Sequence, residues 1–578
     1  MAYERMFLCG GSEQPRGRIY PPDTETIPLI LWGRNTNIAL KISDLTRKMV
    51  ANLPALYADL LEIATYVYCA DQTTPRGGSG ARDAGANWRR NMRFVISVRR
   101  PDFWSGKEVV EELVNTLGFL SDDNYEFSFV PLEKPPPIDN YFEFPTEESE
   151  FAPEEIITFS GGLDSLAGAI NEIFIQGKKI ALISHRSAPK IAPIQKELHK
   201  AICERCKPEL KPLYIPVWIT NQGISPSEHS QRSRSFLYAS LATTVAVMFG
   251  RKRIKFYENG VTSLNLPIAE QVLGARATRT THPKIIRGFQ NLFSLMAGCA
   301  FEVETPFFDK TKTEVVEVIK NAQHADLMKK SVSCSHVFGM TRLHTHCGCC
   351  SQCIDRRLAI LAAGCVEYDP DEMYKVDVFR GERTEGKEIT MAESYVRSMR
   401  EMSTMTELQF FGKYGDVHRV IPYIGGQSDE AAAKIFSLCK RNGEQVQQAI
   451  QNAVIHYSAD LSKGKLPTQC LLRQLFGAKS ARIVISEAKK GIKRRKRRIS
   501  SELSKRQQEV FRLIRVEGKT PKQAAIEMQC SSQNISKLLK KAEAKVEAQQ
   551  SRSVNLAKAQ PLPKDSRGQE NLSDNDTQ

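Results

Sequence analysis

Apolar runs and polar breaks alternate through the middle of this chain in two periods. Ile156-Ile157-Thr158-Phe159 is short, continuous and apolar, as a strand buried on both faces would be. From Leu163 to Ile175 the apolar positions Leu166, Ile170, Ile173 and Phe174 recur at helical spacing. Lys179 to Ser184 is the next predicted strand and Ile191 to Cys203 the next helix. Leu213 to Ile219 is a third strand, Phe236 to Phe249 a helix and Ile254 to Tyr257 a fourth strand. This alternation predicts an α/β fold with a parallel, Rossmann-like sheet covered on both faces. Ligands of such sheets bind outside the carboxyl ends of the strands.

The flanking regions pattern differently. Residues 1–148 predict an α+β unit. Ile42 to Tyr68 suggests paired helices, with Leu53, Leu56, Leu60, Ile63 and Ala64 at helical spacing, and Arg93 to Arg99 alternates like a strand. Pro135-Pro136-Pro137 is a stiff break between this unit and the α/β core expected at 150–366. Residues 367–485 read as helical with no chemistry of their own. A basic linker at 486–499, three short helices at 500–548 and a polar tail at 549–578, expected to be disordered, complete the chain.

Composition narrows the partners. The chain has 578 residues, 41% of them hydrophobic, and a formal net charge of +15. The excess peaks at Lys489 to Arg498, where eight residues in ten are basic. That balance favours nucleic acid, nucleotides or phosphates. The first residues lack a signal-peptide pattern, and the apolar run at Phe236 to Phe249 is too short and too polar to span a bilayer. A cytoplasmic location with no membrane contact is expected. There the fourteen cysteines stay reduced, so a cluster of them points to metal rather than disulfides.

Ser160-Gly161-Gly162-Leu163-Asp164-Ser165 falls between a predicted strand and a predicted helix. The glycines let backbone approach an anion closely, and the helix N-terminus and serine hydroxyls favour negative charge there. Asp164 would repel bare phosphate, so it suggests a capping or metal role. No Lys-Ser/Thr follows the last glycine, which separates this loop from the Walker type.

Cys347, Cys350 and Cys353 form two overlapping C-x-x-C steps that let thiolates converge on one tetrahedral zinc. Cys334 is the nearest upstream fourth ligand. His344 and His346 are rivals for that place, and Cys349 is a spare thiol. Four thiolates would close the shell and make the zinc structural.

The loop resembles that of PP-loop ATP pyrophosphatases. Together with C…CGxCxxC, and Arg356 after the last cysteine, it resembles the 7-cyano-7-deazaguanine synthase (QueC) family over about residues 154–364. The resemblance implies that Ser160 to Ser165 hold the pyrophosphate end of ATP, with Mg2+, while a carboxylate oxygen attacks the α-phosphorus. Arg234, Asp164 and Lys312 are the implied catalytic residues. The carboxylate would be 7-carboxy-7-deazaguanine or a related deazapurine, converted to an amide or nitrile. The added N-terminal unit and the stretch from Glu258-Asn259-Gly260 to His282-Pro283 look like the longer, QatC-like branch of bacterial anti-phage systems, which implies defence-operon protein partners. Glu258, Asn259, Asn265, Arg276, Arg279, Thr280 and His282 are candidate base or carboxylate contacts.

The last helices resemble the helix-turn-helix of sigma-factor region four. Ser504 and Thr520-Pro521 open the first two, Gly518 ends the first, and a third starts near Ser531. Ser532, Gln533, Asn534, Ser536, Lys537 and Lys540 would face DNA. Two other readings stay open from the residues: a tRNA-thiolating or lysidine-forming PP-loop enzyme, with Cys349 as sulfur carrier, and a DNA-binding regulator with a nucleotide-sensing domain.

Overall fold

The structure is a computed structural model. It describes residues 4–476 except 16, 18–19, 34, 46, 52, 77–87, 145–150, 187, 223–227, 229–230 and 269–278, and residues 505–543 except 541. The basic run at 489–498, Ser504, Arg276 and the tail lie outside the described residues. The described residues fall into two compact units, one within 1–476 and a second within 477–578.

The first unit is mixed α/β with two sheets. Its strands are β1 Glu4–Cys9, β2 Glu25–Leu29, β3 Ile38–Ser43, β4 Asn91–Val98, β5 Asn124–Pro131, β6 Phe142–Glu143, β7 Glu155–Thr158, β8 Ile180–His185, β9 Leu213–Asn221, β10 Arg253–Lys255 and β11 Glu302–Glu304. The smaller sheet has the order β2-β1-β4-β5 and the larger β11-β10-β7-β8-β9-β3-β6. All pairings are parallel except β3 with β9. Every residue of β7 and β8 is buried, as their unbroken apolar runs require. Helix Arg234–Met248 lies against this sheet and is buried from Ser235 to Ala246. Burying Phe236, Leu237 and Leu241 stabilises the packing by about 1.5–3 kcal/mol each.

Two expectations for the N-terminal region change. Ile42 belongs to a strand, β3, and a single long helix runs from Ala55 to Thr73. Ile38, Leu40 and Ile42 are buried with period two, and Pro54 sits at the helix N-cap, which keeps helical geometry from extending backwards. The compact unit also runs across the break at Pro135 to Pro137. Strands β3 and β6 leave the N-terminal region and pair at the edge of the larger sheet, and a shared core joins Tyr68 and Phe142 to Ile183 and Phe236.

Beyond the sheet, helices Lys387–Thr404 and Ser428–His456 pack on one another and on helix Ser351–Ala362. In the second unit, helices Lys505–Phe511, Pro521–Glu527 and 532–540 enclose Val510, Leu513, Ala524, Ala525 and Ile535. Thr520 and Gln523 form the expected capping box, and Gly518 has a φ of +68° at the turn before it. Gln533, Asn534, Ser536, Lys537 and Lys540 are exposed and Ser532 is half-buried.

Candidate active site

Strand β7 delivers the chain to Ser160, and helix Leu163–Ile170 leads it away. Between them Gly161 turns with a φ of +83°, where its missing Cβ would lie 3.1 Å from Gln195. The loop is braced from three sides. Gln195 donates to Ser160 O at 3.1 Å, Val332 N donates to Gly161 O at 3.0 Å, and Ser165 Oγ donates to Gly162 O at 3.0 Å. Ser160 Oγ and Ser165 Oγ lie 3.2 Å apart, so their hydroxyls sit side by side at the helix N-terminus. That combination of turned backbone, helix end and paired hydroxyls suits an oxyanion.

Asp164 is the charged member of the loop. Its Oδ2 forms an ion pair with Lys312 Nζ, while Asn259 N and Nδ2 each donate to Oδ1 at 3.3 Å. Lys312 opens helix Lys312–Asn321, whose N-cap is a capping box of Thr311 and Glu314. Burial alone would lower the Lys312 pKa, but the charge and hydrogen bond of Asp164, with the charges of Asp355 and Glu258, together outweigh it and raise the pKa.

These groups surround a cavity of about 320 Å³ at the strand ends. Ser160, Gly162, Leu163, Asp164 and Ser165 line one side, and Arg234, Glu258, Thr280, Thr281 and Lys312 line others. Arg234 is the first residue of its helix, which is anchored by Ser233 N and Oγ bonding Asp71 Oδ2 at 2.9 and 3.0 Å. Glu258 accepts a hydrogen bond from Thr281 Oγ1 at 3.0 Å, and Thr281 is held by Ser263 at 2.8 Å. Burial pushes the Glu258 carboxyl up to about 7, and the charge of Asp164 adds to the effect.

The other candidate contacts have different partners. Asn259 caps helix Gly260–Leu264 as well as holding Asp164. Asn265 ends that helix with a φ of +51° and is not among the cavity-lining residues. Arg279 lies over the Phe119 ring at 4.4 Å and donates to Phe119 O at 2.6 Å. His282 caps helix Pro283–Ala297, its Nδ1 accepting from Lys284 N at 3.2 Å, and its ring packs on Phe119. Arg356, expected after the last cysteine, is fully buried on Asp369, Ser331 and Met328 O. Sequence reasoning missed Thr281, Ser333, Ser335 and Gln352, which line the cavity. Only the last three carry a usable signal, because they flank cysteines of the cluster.

The sulfurs of Cys334, Cys347, Cys350 and Cys353 all lie within 4.8 Å of one another, and those of Cys347 and Cys353 are 3.8 Å apart. Sulfurs 2.3 Å from a tetrahedral zinc stand about 3.8 Å apart, so the four can hold one such ion. Both rival histidines are outside this set. His346 Nδ1 meets Thr345 Oγ1 at 2.9 Å, its Nε2 accepts from Ser333 N at 3.4 Å, and its ring packs on Tyr374. His344 is tied to Thr341 through its backbone. Cys349 is buried and is no member of the sulfur cluster. Cys334 also lines the cavity, so the sulfur cluster and the cavity share a wall.

Residues 279–364 match the family model of queuosine biosynthesis protein QueC. The matched stretch holds Lys312 and all four clustered cysteines, while the SGGLDS loop precedes it. A 7-cyano-7-deazaguanine synthase of Methanocaldococcus jannaschii is 38% identical over 66 residues, which is 11% of this chain and 28% of that one. The chain thus aligns with under a third of that relative's length. These likenesses support a QueC-like segment within the first unit. Residues 497–546 match the model of sigma-70, region 4. Among the described residues no helix is long and apolar enough to cross a membrane.

Proposed function

We propose that the cavity binds ATP and a carboxylate-bearing deazapurine and joins them as an acyl adenylate, releasing pyrophosphate. The observation that carries this reading is the convergence of the SGGLDS loop, Lys312 and Arg234 on one cavity. Ser160, Ser165 and the turned backbone would hold the phosphates. Arg234 and Lys312 would offset charge as pyrophosphate leaves. Asp164 would hold Mg2+ beside those phosphates, and zinc would brace the wall through Cys334, Cys347, Cys350 and Cys353. Amidation, and dehydration to a nitrile where ATP drives it, would follow.

The extra strands of residues 1–148 and the C-terminal module favour the longer QueC-like branch of anti-phage systems, with protein partners from its operon. The helix-turn-helix-like module would contact DNA through Ser532, Gln533, Asn534, Ser536 and Lys537, and deleting 489–548 should lower duplex-DNA affinity. Unchanged affinity would remove DNA from the reading. The adenylation itself is tested by pyrophosphate release from ATP with and without 7-carboxy-7-deazaguanine. Release that does not depend on the carboxylate counts against it.

A further inference from the structure

The cavity holds two carboxylates in different circumstances. Asp164 is neutralised by Lys312 and tied by Asn259. Glu258 follows β10 and lines the same cavity, yet among the described residues it is in no ion pair. It accepts a hydrogen bond from the neutral hydroxyl of Thr281, which Ser263 fixes in turn. This is an oriented carboxyl that faces the ligand space with proton-accepting capacity to spare.

We infer that Glu258 is the general base of the second half-reaction and takes the proton that an attacking amine must lose. The inference rests on the adenylation reading. The amine lone pair forms a C–N bond to the acyl carbon, and the acyl C–O bond breaks with its electron pair leaving on AMP. The surplus amine proton passes to the Glu258 carboxylate and then to water. A base serving an amine near neutral pH works best when its own pKa lies close to that pH. Burial and the neighbouring Asp164 lift Glu258 to about 7, against the opposing charges of Lys312 and Arg234. Product formation should therefore rise as pH increases through about 7, where Glu258 becomes ionised.

The test compares two nucleophiles in the full chain, with 7-carboxy-7-deazaguanine and ATP supplied. Hydroxylamine is largely uncharged near neutral pH and attacks acyl adenylates without a strong base, giving a hydroxamate. Ammonia is mostly ammonium at that pH and needs a proton acceptor. In E258Q, ammonia-dependent product should fall at least about tenfold further than hydroxamate, and the rise through pH 7, read at a constant concentration of free ammonia, should vanish. E258D should restore part of both. Equal losses with both nucleophiles, or a raised KM for the carboxylate with the ratio unchanged, would overturn the role and leave Glu258 as a substrate contact. A wild-type protein that releases no carboxylate-dependent pyrophosphate would overturn the adenylation reading itself, and this role with it.

Discussion

The two walls of the cavity are made in different ways. The wall proposed to hold phosphate is one hexapeptide, Ser160 to Ser165, set by a strand end, a glycine turn and a helix start. The facing wall gathers Glu258, Thr280 and Thr281 from two ends of a long connection, with Arg234 and Lys312 from separate helices. Where backbone geometry makes the site, a motif describes it almost completely. Where side chains converge from distant segments, residue type is a weak guide. Asn265, Arg279 and His282 have the chemistry of base contacts, yet they serve a helix end, an aromatic stack and a helix cap.

The largest effect should come from the phosphate-side wall. Asp164→Ala removes the partner of Lys312 and frees Asn259 from its charge-assisted bonds. Carboxylate-dependent pyrophosphate release should fall at least about 100-fold, a typical loss for one preorganised charged group. A loss below tenfold would mean that the two walls contribute alike and that the comparison is drawn in the wrong place. Next comes the shared wall. Cys350→Ser should reduce bound zinc from one equivalent to almost none and lower the melting temperature, because a structural ion contributes directly to folding. Full zinc retention would show that the four sulfurs do not act together.

The alternating core was readable because β7 and β8 are buried on both faces and the helix after β8, Ile191–Cys203, on one. The grouping of the four sulfurs was readable for a similar reason, since C-x-x-C spacing is local and Cys334 needed only a short return. The β3 strand was not. Its partner β9 comes from far along the chain, and its period-two burial is brief beside the strong helical spacing that follows it. The helical region after 367 also hid its contribution. Leu438 fills the space a side chain at Gly260 would need, 2.6 Å from the Cβ position. Arg441 Nε donates to Glu314 Oε1 at 2.8 Å, Thr311 Oγ1 to Gln445 Oε1 at 2.6 Å, and Tyr395 OH to Asp355 Oδ1 at 2.6 Å. Nothing in the spacing of those residues announces that Arg441 and Gln445 grip the start of the Lys312 helix.

That grip yields an intermediate effect. Arg441 and Glu314 are partly exposed, so their ion pair contributes only modestly to stability. It does hold the capping box that orients Lys312. Arg441→Ala should lower kcat for pyrophosphate release roughly three- to tenfold through misplacement of the ammonium, with a small change in melting temperature. Arg441→Lys should recover part of it. An unchanged kcat would confine the facing wall to the α/β core.

The smallest effect should come from Arg279, and it tests the contrast most directly. Its guanidinium covers Phe119 and bonds the Phe119 carbonyl, so it joins the 279–282 segment to helix Lys107–Ser121. Arg279→Ala loses a cation–aromatic contact and one hydrogen bond, worth about 1–2 kcal/mol together. Thermal unfolding should register that loss. KM for the carboxylate should move less than about twofold, because the side chain is directed at protein and Thr280 and Thr281 still face the cavity. A tenfold rise in KM at unchanged melting temperature would mean that Arg279 leaves Phe119 when substrate enters. The facing wall would then be assembled by its ligand, whereas the phosphate loop stands ready-made.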